Sequence, residues 1–220
     1  MKNRKVLQIC MAAFIVTCAG GEAVSQSDFW QKISEDSVQA IAINSTGSIF
    51  ASRLGRVVRS SDDGATWTET NAGMDAPVWN IAFTSSTVFA AGFGLLRSTD
   101  NGSNWTMIDG RAKIFAIAVN ESGHIFIGWE NESGWAAERS TDNGASWINT
   151  GLVFGPKVFA INASGTIFAG GLYLTNACVS RSTNNGTSWT STIVAVGAYV
   201  TTLAINPAGH IFAGTSSGGA

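Results

Sequence analysis

Charge is scarce in this chain. Only 13% of its 220 residues are Asp, Glu, Lys or Arg, about half of the ~25% common in soluble domains. With no Lys/Arg run and a formal net charge of −2, the sequence lacks the electrostatic footprint of a nucleic-acid binder. Scarce charge does not mean disorder here, because 45% of the residues are apolar and a core can form. Cysteine occurs only at Cys10, Cys18 and Cys178. The first two lie in an N-terminal apolar stretch, and the one left cannot form an internal disulfide, so folding rests on packing. The two histidines, His124 and His210, stand 86 residues apart without any Cys-x-x-Cys motif, which excludes a structural zinc site. No metal and no cofactor is expected. Helical periodicity is absent.

The apolar stretch 6–19 falls short of the roughly 20 residues that span a bilayer. It follows Lys2, Arg4 and Lys5 and precedes Ala19, Gly20 and Gly21, which is the layout of a secretory signal peptide. Residues 1–23 are therefore expected to be a leader, with Gly21 and Ala23 as the small residues before the cut. The alternatives are an uncleaved anchor, or a lipoprotein acylated at Cys18, against which Thr17 is larger than the small residue expected before such a cysteine. Without the leader the net charge is −4, and no membrane span remains. The expected location is exported: periplasm, cell surface or medium.

What the chain has in quantity is glycine, at 25 residues, and self-similarity. An eight-residue motif occurs four times. It places Ser60, Asp62, Gly64 and Trp67; Ser98, Asp100, Gly102 and Trp105; Ser140, Asp142, Gly144 and Trp147; and Ser182, Asn184, Gly186 and Trp189 at equal spacing. Each copy follows an arginine, and successive copies are 38, 42 and 42 residues apart. A second signature, Ile-Ala-Ile-Asn-x-x-Gly-x-Ile-Phe in its first copy at 41–50, returns at 117–126, 160–168 and 203–212, with a divergent copy at 81–89. A period near 40 residues defines a repeat architecture. Within the first unit, β-branched and apolar runs bounded by Asn/Gly clusters predict strands at 38–43, 48–52, 57–59 and 66–70. Four antiparallel strands per unit make a propeller blade.

The expected fold is therefore all-β, a β-propeller with units at about 38–70, 78–108, 114–150 and 158–192, a partial fifth at 200–214 and a tail at 215–220. Residues 29–33, with Trp30, resemble an orphan fourth strand. Two readings stay open: a five-bladed ring closed by a three-stranded blade, or an open arc from a family of six to eight blades, exposing an apolar face that favours oligomers.

The Ser-x-Asp-x-Gly-x-x-Trp motif resembles the Asp-box of the BNR-repeat propellers, a superfamily of sialidases, xyloglucanase-type hydrolases, sortilin-type receptors and photosystem II assembly factor-like proteins. The resemblance covers about residues 29–214 and departs at Asn184. Physically, the Asp and Ser oxygens suit bonds to their own turn, and the glycines suit positive φ. Residues present in every blade cannot converge on one centre, so these four boxes are read as turn staples. His124 and His210 occupy a slot held elsewhere by Ser48 and Thr166, again a turn position.

Variation lies on the opposite face, in linkers 71–77, 109–113, 150–157 and 193–198 and in lengthened connections 128–137 and 170–178. Variable loops on a rigid scaffold carry binding. Trp129, Glu130, Glu132, Trp135 and Tyr173 are the candidate binding residues there, with Trp129 and Trp135 as a flat platform for a sugar or a partner protein. The expected function is an exported scaffold for protein or glycan binding or assembly, with no catalytic residue assigned. The alternative is a glycoside hydrolase pairing Glu130 or Glu132 with Asp75 or Asp109 across the bond. The sialidase pattern itself is incomplete: only Arg53, Arg56 and Arg111 lie outside the leader and the repeat positions, and Tyr occurs twice.

Overall fold

The structure, a computed structural model, describes residues 38–53, 55–70, 77–111, 113–131 and 134–217. The leader 1–23, the strand expected at 29–33, Asp75 and Glu132 lie outside the described residues, as does the end of the tail. Eighteen strands make up the described chain. Blade 1 holds β1 (Val38–Ile43), β2 (Ile49–Arg53), β3 (Arg56–Ser60) and β4 (Thr68–Thr70); blade 2 holds β5 (Val78–Phe83), β6 (Val88–Gly92), β7 (Gly94–Ser98) and β8 (Thr106–Asp109). Blade 3 holds β9 (Ile114–Val119), β10 (Ile125–Asn131), β11 (Gly134–Ser140) and β12 (Ile148–Asn149); blade 4 holds β13 (Pro156–Ile161), β14 (Ile167–Tyr173), β15 (Asn176–Ser182) and β16 (Thr190–Val196). Blade 5 is a two-stranded sheet of β17 (Val200–Ile205) and β18 (Ile211–Thr215). In each four-stranded sheet the spatial order follows the chain order, and every pairing is antiparallel.

The first strands pack side by side, β1 on β5, β5 on β9, β9 on β13 and β13 on β17, so they are the inner strands of an array of blades. The core lies between sheets as four apolar slabs. Phe50 and Val57 meet Val88, Ala90 and Leu96 between blades 1 and 2; Phe89 and Leu95 meet Ile114, Ile125 and Ile127 between blades 2 and 3. Ala137 meets Leu152, Phe154 and Ala169, and Ala177 meets Ala198 and Val200, at the last two junctions. A single blade could not bury both its faces; stacking does so, and the one described cysteine, Cys178, is a free thiol.

The fourth strand of blade 1 starts two residues later than the pattern predicts. Asp62 Oδ1 accepts the Thr66 N–H (2.9 Å) and Oδ2 accepts the Thr66 hydroxyl (2.6 Å), which holds Thr66 in the turn and out of the ladder. Asp62 Oδ1 also accepts from Ser60 Oγ, which in turn accepts the amides of Asp62 and Gly64. The Ala65 N–H donates to the Asp62 carbonyl, and both central residues have positive φ, 58° at Asp63 and 89° at Gly64. That is a type I′ turn, which favours Asn/Asp followed by Gly. The same bonds recur around Ser98 with Asp100 and Ser140 with Asp142. At Asn184 the oxygen keeps the bonds from Ser182 and the Ser188 amide, while Nδ2 donates to the Ser188 hydroxyl (2.8 Å). A hydroxyl both gives and takes a hydrogen bond, so Asn closes the same turn.

These bonds predict an acid response with an internal control. Bonds from the Thr66 hydroxyl and amide and from Ser60 hold the Asp62 carboxyl down at about 2; Asn104 and Ser98 do the same for Asp100, and Ser146 and Ser140 for Asp142, both also at about 2. Folded values below the unfolded ~3.9 mean that this stabilisation is complete above about pH 4 and is lost as pH falls through about 2. In an NMR acid titration the amide resonances of Thr66, Asn104 and Ser146 should move together in that window, while Ser188, bound to an amide oxygen, stays still. Movement of Ser188 with the other three would refute the assignment.

Candidate functional site

Two segments expected to be long loops are strands. Residues 128–137 belong to the β10–β11 hairpin, whose ladder continues through Trp129↔Ala136, Glu130↔Trp135 and Asn131↔Gly134. Residues 170–178 likewise belong to β14 and β15, paired out to Tyr173↔Asn176. The extra length extends the sheet because the added residues up to Asn131↔Gly134 and Tyr173↔Asn176 find ladder partners. Side chains alternate faces along a strand, so Trp129 and Trp135 point to opposite faces of the hairpin and share no platform. Trp129 packs in the slab between blades 2 and 3. There the Arg111 guanidinium lies 4.5 Å from the Trp129 ring and 5.4 Å from the Trp147 ring, and pairs with Asp109 and Glu138. Burial lowers the Arg111 pKa, and the hydrogen bonds to Asp109 and Glu138 outweigh that, so it rises above the ordinary value. Asp109 is therefore tied up in an ion pair. Glu130 lies 3.6 Å from the Lys113 ammonium. Tyr173 packs half-buried beside the slab of Phe154 and Cys178.

Trp135 leads to a site that the motif reading missed. Its ring centroid is 5.1 Å from that of Phe115, Phe115 is stacked on Trp79 at 5.0 Å and 5°, and Trp79 meets Phe93 at 5.1 Å. On the other side the Lys157 ammonium lies 5.4 Å from the Trp135 ring and 4.4 Å from the Tyr199 ring. Six side chains from four blades thus form one band. Phe93, Trp135 and Tyr199 are 41%, 41% and 37% exposed, and the other three are half-buried. Phe93 sits in the β6–β7 connection, Trp135 at the start of β11 and Tyr199 just before β17, all on the face where blades are linked.

A repeated backbone irregularity builds the band. Each inner strand slips register near its start, between Val78 and Asn80, around Phe115, between Pro156 and Val158, and between Val200 and Thr202. A bulge leaves one residue out of the ladder and re-aims it; here those residues are Trp79, Phe115, Lys157 and Thr201. Gly155 supports the band from below, since a Cβ there would meet Trp135 Cβ at 2.4 Å. The readable signal is the position five residues before the Asn of each Ile-Ala-Ile-Asn-like signature, or before Thr84 in the divergent copy. It reads Gln39, Trp79, Phe115, Lys157 and Thr201, varied where the position just before it is apolar every time (Val38, Val78, Ile114, Pro156, Val200).

The Lys157 ammonium makes its described interactions with π faces alone, and no group of three metal-ligating side chains occurs among the described residues. No helix among them is long and apolar enough to cross a membrane.

No family model matches the sequence, and no curated protein matches it. Solved structures do match in fold. The extracellular domain of the one-component system BT4673 from B. thetaiotaomicron superposes with a TM-score of 0.66 at 13% identity, over 81% of this chain and 25% of that one. YCF48 bound to D1 peptide matches with 0.63 at 14% identity, over 83% and 64%. Streptogramin B lyase matches with 0.61 at 15% identity, over 81% and 68%. The chain thus spans a quarter of the first of these and under two thirds of the second. With four four-stranded antiparallel sheets, a fifth of two strands and no helix among the described residues, the fold is an all-β propeller type.

Proposed function

We propose that the chain is an exported, non-catalytic scaffold that docks a protein segment on the band running from Phe93 through Trp79, Phe115 and Trp135 to Lys157 and Tyr199. The observation that carries this reading is the band itself: stacked rings from successive blades, ended by a cation that has no carboxylate partner among the described residues. Trp, Tyr and Phe are the residues enriched in the cores and hot spots of protein-binding surfaces. The packing favours protein over sugar. A pyranose needs an open ring face, whereas Trp79 and Phe115 spend faces on each other at 5.0 Å, leaving edges and a ridge. One similar structure holds a D1 peptide, which supports peptide docking on this fold, and another is an extracellular domain, which supports export by the leader.

The test uses a peptide array of about 15-residue segments, a glycan array and a hydrolysis screen on the full chain. Peptide hits should weaken by about tenfold or more in Trp135→Ala and in Lys157→Ala, in line with hot-spot truncations. Both sites are partly exposed, so the fold should persist by circular dichroism. Glycan binding with turnover abolished by Glu130→Gln would overturn the reading in favour of a hydrolase.

A further inference from the structure

The third turn of a blade, between its third and fourth strands, holds the three Asn-Gly pairs of the chain, at Asn101, Asn143 and Asn185; blade 1 has Asp63-Gly64 there. A glycine after asparagine leaves the next backbone nitrogen unshielded, since no Cβ stands between it and the carboxamide carbon. The corners share one backbone. φ is 56°, 58° and 58° at the three asparagines. The amides of Gly102, Gly144 and Gly186 donate to Ser98, Ser140 and Ser182 Oγ at 2.8, 2.8 and 2.9 Å, and all three glycines are buried. The three backbone nitrogens are therefore held alike.

The three carboxamides are not. Asn101 Oδ1 accepts from Asn44 Nδ2, and Asn185 Oδ1 accepts from Asn120 Nδ2, both at 2.9 Å. Asn185 Nδ2 also meets His124 Nδ1 at 2.6 Å. In both cases the restraint comes from the first turn of the preceding blade. Before Asn143 that turn belongs to blade 2, the divergent copy, with Thr84 in place of the Asn. Thr84 Oγ1 accepts the amides of Ser86 and Thr87 inside its own turn. No described residue hydrogen-bonds the Asn143 carboxamide, and Asn143 is exposed where Asn101 and Asn185 are half-buried.

We propose that Asn143 is a site of spontaneous deamidation in the folded protein, by attack of the Gly144 backbone nitrogen on Asn143 Cγ. The new N–C bond forms as the Cγ–Nδ2 bond breaks; ammonia leaves with the amide proton, and a succinimide ring remains. Water opens that ring at either carbonyl and yields aspartate or isoaspartate. All three corners must first free the glycine nitrogen from its serine, so this cost is common to them. Turning the carboxamide carbon toward that nitrogen costs two corners a side-chain bond and costs Asn143 none. The two products differ in effect. Aspartate reproduces blade 1, where Asp63 holds the same corner at φ 58°. Isoaspartate lengthens the main chain by a methylene, which pulls Gly144 off Ser140 and away from Ile108, whose Cδ1 an added Cβ would meet at 2.5 Å. The junction of blades 2 and 3 loosens there. This site is separate from the aromatic band and does not depend on what the band binds.

The test is peptide mass spectrometry on the full chain aged in mildly alkaline buffer. Arg97, Arg139 and Arg181 precede the three corners, so trypsin delivers them in three different peptides. Conversion to the acid at Asn143 should run about fivefold or more faster than at Asn101 and Asn185, the factor that one net hydrogen bond contributes. Asn44→Ala frees the Asn101 carboxamide and should raise its rate toward that of Asn143, while Asn143 and Asn185 in the same chain keep theirs. Equal conversion at the three corners, none included, overturns the proposal. So does an Asn101 rate that Asn44→Ala leaves unchanged, or a rise at all three corners together, which would trace the reaction to general loosening of the fold.

Discussion

Gly128→Ala should destabilise the chain by about 3 kcal/mol or more, the upper end of the range for overpacked sites, although it adds one methyl group. Gly128 sits in β10, paired with Ala116 on one side and Ala137 on the other. A Cβ there would stand 2.2 Å from the Pro156 carbonyl oxygen and 2.9 Å from Pro156 Cγ. Pro156 opens β13 of the next blade, so the clash is between blades, and the first atom in the way is backbone. A long side chain can swing aside; a carbonyl fixed at the start of an inner strand cannot move without shifting β13 and the Lys157 bulge after it. Gly110→Ala is the control. Its nearest neighbour would be Met107 Sδ at 3.9 Å, ordinary contact, so its melting temperature should hold. For a domain of this size 3 kcal/mol corresponds to a fall of roughly 6–12 °C. Equal melting temperatures for the two variants would show that blades 3 and 4 are not in this register.

What the sequence discloses and what it hides divide along a physical line. Turns are local. Ser60, Asp62, Gly64 and Trp67 lie within eight residues and close on one another, so the motif names its own hydrogen bonds. The inner strands also announce themselves, because their apolar runs recur with the repeat. The band at Trp79, Phe115 and Lys157 is not local; it joins residues 36 to 42 positions apart in sequence, brought together by bulges that leave no mark in a hydrophobic pattern. The double duty of the third-turn glycine is hidden for the same reason. Positive φ explains Gly102 within its own turn, while the Phe50 ring pressed against it belongs to the previous blade. The hairpin at 125–140 misled in the other direction. Its polar and charged residues, Glu130 and Asn131 among them, suggest a loop, yet they stand in the ladder at the far end of the β10–β11 hairpin, paired to Trp135 and Gly134.

Phe126→Ala and Phe212→Ala make a matched pair in which the same deletion, at the same place in two repeats, should have opposite consequences. Phe126 is fully buried, its ring centroid is 6.4 Å from that of Phe159 on β13, and Gly186 lies against it. Removing such a ring costs about 3–5 kcal/mol, the transfer term plus the cavity left between two rigid sheets, or roughly 6–20 °C in melting temperature. Phe212 occupies the equivalent position on β18 but is 58% exposed. Phe212→Ala should leave the melting temperature unchanged or nearly so, since a surface substitution away from packed features stays within about 0.5 kcal/mol. The contrast follows from position in the array alone, because local sequence and strand geometry are shared. A large loss at Phe212 would mean that its ring is packed within the chain, against the 58% exposure that its place on β18 gives it.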